Sequence, residues 1–120
     1  MVVDDNPDII TIVKTILEGK GYQVLSASSG QELLNLLTDQ KPDLIILDIM
    51  MPEMDGLEVL GRLKAVTDTA SIPVILLTAK VQYEDVLGGY KLGADYYITK
   101  PFTSTQLVNG INLLLGESKN

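Results

Sequence analysis

The sequence predicts an α/β fold: five strands alternating with five helices, the strands forming a doubly wound parallel sheet with helices on both faces. Three observations lead there. Short apolar runs such as Val2-Val3, Leu44–Leu47 and Val74–Leu77 alternate with longer segments whose apolar residues recur every three or four positions. The runs at Leu44–Leu47 and Val74–Leu77 are unbroken, as in strands buried on both faces, and too short for helices. Such alternation requires parallel strands joined by right-handed crossovers. With 120 residues and 46% apolar content, residues 1–120 are expected to form one domain around one core, without an appended output module. No linker, repeat or low-complexity stretch divides them.

The first strand, Met1–Val3, ends at Asp4-Asp5. Asn6-Pro7 supplies a cap and a first-turn proline, and Ile9, Ile10, Val13, Ile16 and Leu17 form the apolar face of the first helix, which stops near Gly19–Gly21. Tyr22–Ala27 reads as the second strand. Ser28-Ser29 precedes Gln31 and Glu32 at capping-box spacing, with Leu33, Leu34, Leu36 and Leu37 turned inward from the second helix. The third strand, Leu44–Leu47, ends at Asp48 and is broken off by Met51-Pro52 and Asp55-Gly56. Asp55 caps a third helix over about 56–66, with Leu57, Leu60 and Leu63 as its stripe.

A polar turn leads to the fourth strand, Pro73–Leu77, closed by Thr78-Ala79. The fourth helix is predicted over about 83–92, where Gly88 and Gly89 each cost roughly 1 kcal/mol relative to alanine. Gly93-Ala94-Asp95 turns into the fifth strand, Tyr96–Thr99, followed by Lys100-Pro101. Thr103 and Gln106 form a capping box for the fifth helix, whose inner stripe is Leu107, Val108, Ile111, Leu114 and Leu115.

Composition removes several chemistries. Without cysteine or histidine there are no disulfides, thiolate or imidazole ligands, or Ser-His-Asp catalysis. A net charge of −7, with nine dispersed basic residues, disfavours direct nucleic-acid binding. No run is long enough to span a bilayer and no leader precedes Asp4, so a soluble cytoplasmic chain without a membrane partner is expected.

In a parallel sheet all strand ends of one sense share an edge, so Asp4, Asp5, Asp48, Thr78 and Lys100 converge there. Singly each has a plain account: a capping pair, a helix cap, a strand-end hydroxyl, a turn. Together they suggest a site for Mg²⁺, which takes oxygen ligands and relieves carboxylate repulsion. Lys100, as an ammonium, is a partner for Asp48 or for phosphoryl oxygens rather than a ligand. With neither histidine nor cysteine, the available nucleophile is a carboxylate, and aspartate can accept a phosphoryl group.

Asp4-Asp5, the segment from Asp48 to Gly56, Thr78-Ala79, Gly93-Ala94-Asp95 and Lys100-Pro101-Phe102 resemble, in order and spacing, the response-regulator receiver domain of two-component signalling, the CheY-like superfamily. The resemblance covers essentially the whole chain. It implies a flavodoxin-like fold with strand order 2-1-3-4-5, an order the general rule for doubly wound sheets illustrates with a member of this family. It implies that Asp48 is phosphorylated from the phosphohistidine of a sensor histidine kinase or phosphotransfer protein. Asp5, Asp48 and the Met50 carbonyl would bind Mg²⁺ directly, and Asp4 mainly through water. Lys100 would contact the phosphoryl group, with a cis bond to Pro101. Thr78 and Tyr97 would form the switch, changing the surface of the fourth helix, fifth strand and fifth helix for an output protein or domain. A homodimer through the same face is a further possibility, on which the residues themselves are silent.

The chain departs from the family at its start, where the strand before the acidic pair looks short, and at Met50 and Lys80, positions that tune phosphoryl lifetime. An apolar Met50 is poorly suited to orienting an attacking water, which predicts a long-lived phosphoaspartate. Gly88-Gly89 is either a merely tolerated pair or one that loosens the fourth helix for repacking. Two other classes compete with this one. An aspartyl-phosphate hydrolase would want a second aspartate where Met50 stands, and a phosphate-independent interaction domain has no use for the complete acidic set.

Overall fold

Parallel pairing orders the chain. In a computed structural model that describes residues 1–78, 90, 91 and 93–116, β1 (Val2–Val3), β2 (Ser26–Ala27), β3 (Ile45–Asp48), β4 (Val74–Thr78) and β5 (Tyr96–Thr99) form one sheet in the order 2-1-3-4-5. Every pair is parallel, with Asp48 opposite Leu77 and Thr78 opposite Thr99. The expected doubly wound, flavodoxin-like arrangement is therefore the observed one.

The strands' two-residue period divides the core into two layers. Val3, Ile45, Leu47, Val74 and Leu76 face α2 (Gly30–Leu36) and α3 (Gly56–Ala65), where Leu33, Val59, Leu60 and Leu63 are buried. Val2, Ile46, Ile75, Leu77 and Ile98 face the opposite way, against α1 (Pro7–Glu18), with Val13 and Leu17, and the last helix, with Leu107 and Ile111. Tyr96 and Tyr97 project to opposite layers, as adjacent strand residues must.

Caps account for the helix starts. Asn6 accepts from the Asp8 amide, Ser29 from Glu32 and Asp55 from Glu58. Thr103 and Gln106 make the complete reciprocal box. A one-turn helix, α4 (Thr67–Ala70), replaces the expected polar turn, because the buried Thr69 hydroxyl donates to the Leu63 carbonyl at 2.6 Å and pulls the segment under α3. The last helix is accordingly α5 (Ser104–Leu115). Of the helix predicted over 83–92, Tyr90 and Lys91 are helical, and the rest, Gly88-Gly89 included, lies outside the described residues, as do Ala79 and Lys80.

Two expectations are corrected near the chain start. The second strand is not Tyr22–Ala27 but Ser26–Ala27, since a parallel ladder needs a partner and β1 offers only two residues. The Val2 amide bonds the Leu25 carbonyl at 2.9 Å, and the run ahead of Leu25 has no strand beside it. A groove of about 890 Å³ opens there, lined by Met1, Tyr22, Val24, Leu44, Ile111 and Leu115. Leu115, expected inside, is 39% exposed because it borders this groove. The Met1 ammonium donates to the Leu44 carbonyl at 2.8 Å, and burial pulls its pKa down to about 6, with Asp43 opposing.

Two or three β-branched residues fused ahead of Met1 would lengthen β1 and move the charge into water. We expect a stability gain of about 1–3 kcal/mol in urea unfolding, from two ladder bonds at 0.5–1.5 kcal/mol each. The amine binds a proton less readily folded than unfolded, so the parent gains stability as pH rises from about 6 to 8. The extended protein should lack that gain, and the difference between the two should narrow across this window.

Candidate functional site at the carboxyl rim of the sheet

Strand ends place each functional side chain. Asp4 follows β1 directly, its amide bonded to the Ala27 carbonyl, and its Oδ1 accepts from the Asn6 amide at 2.9 Å. Asp48 is the last residue of β3, held by its pairing with Leu77. Thr78 ends β4 and is buried; its carbonyl accepts the Lys100 amide at 2.7 Å, which fixes where the lysine leaves β5. The Lys100–Pro101 peptide is cis.

These placements bring four charged groups together. One carboxylate oxygen from each of Asp4, Asp5 and Asp48 lies within 4.8 Å of the others. The Lys100 Nζ is 2.9 Å from Asp4 Oδ2 and 3.5 Å from Asp48 Oδ1. Lys100 was expected to partner Asp48 or phosphoryl oxygens; Asp48 is within ion-pair reach, and Asp4 is nearer still. Asp4 is 0% and Asp48 2% exposed, whereas Asp5 faces solvent. Burial, reinforced by the charge of Asp4, pushes the Asp48 carboxyl up to about 6, while Lys100 and the Met50 amide oppose the rise.

The residues fit a hard divalent cation on two counts. Among the described residues a single ammonium faces three carboxylates, and the buried Asp4 Oδ2 accepts no hydrogen bond, its contact with Lys100 being an ion pair without hydrogen-bond alignment. An oxygen-only donor set with one unsatisfied buried oxygen suits Mg²⁺ or a similar ion better than a transition metal.

The segment after Asp48 is more sharply folded than its sequence suggests. The Met51 amide bonds the Ile49 carbonyl and the Met54 amide bonds the Pro52 carbonyl, two three-residue turns in succession, with Glu53 at φ 69°. Met50 is thereby turned out, 67% exposed, while its amide donates to Asp48 Oδ1 at 3.2 Å. Gly56 then packs against the strand end: a Cβ there would lie 2.3 Å from the Asp48 carbonyl oxygen. The sequence marked Gly56 only as a helix start, and its role in positioning Asp48 had no separate signal. Tyr97, by contrast, is not at the rim. It is half-buried in the layer facing α2 and α3, its ring 5.4 Å from that of Tyr90.

A doubly wound parallel sheet with an acidic rim and one lysine defines the class to which the comparisons point. The chain belongs to the response regulator receiver domain family, whose model matches residues 1–112. It is 40% identical over 119 residues to the alkaline phosphatase synthesis transcriptional regulatory protein PhoP of Bacillus subtilis, covering 99% of this chain and 49% of that protein. It is 42% identical to the response regulator SaeR of Staphylococcus aureus, covering 99% of this chain and 51% of that one, so the chain spans about half the length of both relatives. Among solved structures, the receiver domain of a signal transduction histidine kinase from Syntrophus aciditrophicus superposes with a TM-score of 0.88 at 40% identity, covering 99% of this chain and 94% of that one. The chemotaxis protein CheY4 of Vibrio cholerae gives 0.90 at 29% identity, covering 94% of each. Among the described residues, no helix is long and apolar enough to cross a membrane.

Two variants test the site's energetics. The folded pKa of Asp48 exceeds its unfolded value of 3.8, so without divalent metal the ionised group destabilises the fold increasingly as pH rises from about 4 to 6. Asp48→Asn should therefore raise the unfolding free energy at pH 7.5 in EDTA by roughly 2–3 kcal/mol, read as a higher thermal midpoint, with the gain vanishing near pH 4. Gly56→Ala should cost at least about 2 kcal/mol in urea unfolding, since the backbone it would meet cannot rotate away.

Proposed function

We propose that this receiver domain, residues 1–120, is the phosphoacceptor of a two-component system. The observation that carries the proposal is the Lys100 ammonium shared between Asp4 and Asp48, 2.9 and 3.5 Å away, at a rim of three carboxylates. An Asp48 carboxylate oxygen attacks the phosphorus of a phosphohistidine on a sensor histidine kinase or phosphotransfer protein. The new P–O bond forms as the P–N bond breaks, and the electron pair leaves with the imidazole. Lys100 and the Thr78 hydroxyl meet the oxygens of the transferring group, where charge accumulates. When bound, Mg²⁺ would be held by Asp5, Asp48 and the Met50 carbonyl, with Asp4 assisting through water, and would supply further positive charge against those oxygens. The domain promotes only its own phosphorylation and dephosphorylation.

The added charge draws Thr78 toward the phosphoryl oxygens and Tyr97 inward, changing the surface made by residues 83–92, β5 and α5. An output protein or domain reads that surface, and a second copy of the chain could pair through it. The net charge of −7 supports control through such a partner rather than direct nucleic-acid contact, and the cysteine-free composition suits the cytoplasm.

Incubation with acetyl phosphate and Mg²⁺, followed by intact mass, tests the reading. We expect one added phosphoryl group, lost in Asp48→Asn and strongly reduced by EDTA. Turnover of external phosphomonoesters would indicate a hydrolase, and no reaction a phosphate-independent interaction domain. The exposed thioether of Met50 offers no hydrogen-bonding group to an attacking water. The phosphorylated parent should accordingly decay more slowly than phosphorylated Met50→Asn, as read from the time course of the mass shift.

A further inference from the structure

Three of the four methionines, Met50, Met51 and Met54, lie within five residues of one another beside Asp48. With no cysteine and no tryptophan in the chain, thioethers are its most readily oxidised atoms. Their exposure differs sharply. Met51 is 7% exposed in the core layer against α2 and α3, Met54 packs against the same layer, and Met1 is partly buried; Met50 is 67% exposed. Its backbone is nevertheless fixed at the site, because its amide bonds Asp48 Oδ1 and the turn closed by Met51 follows at once.

Resting on the function proposed above, we propose that Met50 is a peroxide-sensitive modification site whose oxidation shortens the life of the phosphorylated domain. The sulfur lone pair attacks one oxygen of a hydroperoxide and the O–O bond breaks. With hydrogen peroxide, the displaced hydroxide takes up the proton lost from the transferred oxygen, giving sulfoxide and water. Sulfur is oxidised by two electrons and the peroxide is reduced by two. The thioether is a weak acceptor, whereas the sulfoxide oxygen is a strong one that can hold a water against the phosphorylated carboxylate. Oxidation therefore converts a residue that cannot orient water into one that can.

The full chain, treated with hydrogen peroxide and quenched with free methionine, is mapped by peptide mass spectrometry, then phosphorylated with acetyl phosphate and Mg²⁺ and followed by intact mass. Met50 should oxidise before Met1, Met51 and Met54. Its sulfoxide form should lose phosphate roughly three- to tenfold faster than the untreated protein, below the 10²–10⁴ typical of a positioned acid or base. Met50→Leu should show no peroxide effect, and Met50→Gln, which carries a fixed polar oxygen, should decay faster than Met50→Leu without peroxide. Oxidation of Met50 no faster than Met54, or an unchanged decay in the oxidised protein, overturns this inference and leaves the phosphoacceptor reading standing. A chain that takes up no phosphoryl group overturns both.

Discussion

Like charges crowded at one edge of a parallel sheet are the constraint around which this molecule is built. Asp4 and Asp48 are almost completely buried and Asp5 stands beside them, with Lys100 supplying one positive charge. Left to themselves such groups would separate, and the raised pKa of Asp48 records how poorly the folded chain tolerates its ionisation. What holds them together is packing. Asp48 cannot leave the rim without breaking the register of β3 with β4, and every residue from Leu44 to Leu47 is buried in one of two layers. Core burial thus offsets an electrostatic penalty placed where a cation can relieve it.

The segment following Asp48 extends this logic from the strand to the loop. A strand end alone leaves its terminal side chain free to swing, but here Gly56 lies against the Asp48 carbonyl and its amide returns to Ile49. The loop between has to close in few residues, which it does through two tight turns and a left-handed Glu53. Met50 is exposed as a consequence of that closure, not because its neighbours are polar. The loop's geometry, rather than the strand's, decides which side chain accompanies the aspartate into solvent.

Most of the architecture was legible in the sequence because it follows from period and punctuation. Unbroken runs at Leu44–Leu47 and Val74–Leu77 could only be strands buried on both faces, and Asn6, Ser29, Asp55 and Thr103 each announced a cap that the structure shows. The convergence of Asp4, Asp5, Asp48 and Lys100 followed from parallel topology alone. Features that depend on tertiary partners were not legible. Tyr22–Ala27 has the composition of a strand, yet pairing stops where β1 stops. The segment after α3 reads as a polar turn, and only the folded chain offers the Thr69 hydroxyl a buried acceptor at the Leu63 carbonyl. The nearer pairing of Lys100 with Asp4 depends on where the Thr78 carbonyl anchors its backbone, a distance no spacing rule supplies.

The same backbone bond connects the acidic rim to the rest of β5. Asp48 lies opposite Leu77, Thr78 lies opposite Thr99, and the Lys100 amide closes on the Thr78 carbonyl, so the three strand ends form one continuous row. Tyr97 is three residues behind Lys100 on that row, in the layer against α2 and α3, with its ring on Tyr90. In the proposed reaction a phosphoryl group at Asp48 competes with Asp4 for the Lys100 ammonium, because one cation cannot stay equally close to both. Any adjustment of Lys100 is made at the end of a strand held in register by β4, and it is therefore felt first by β5. The partner face proposed above, on the β5 side of the sheet, lies along this row and beside the tyrosine pair.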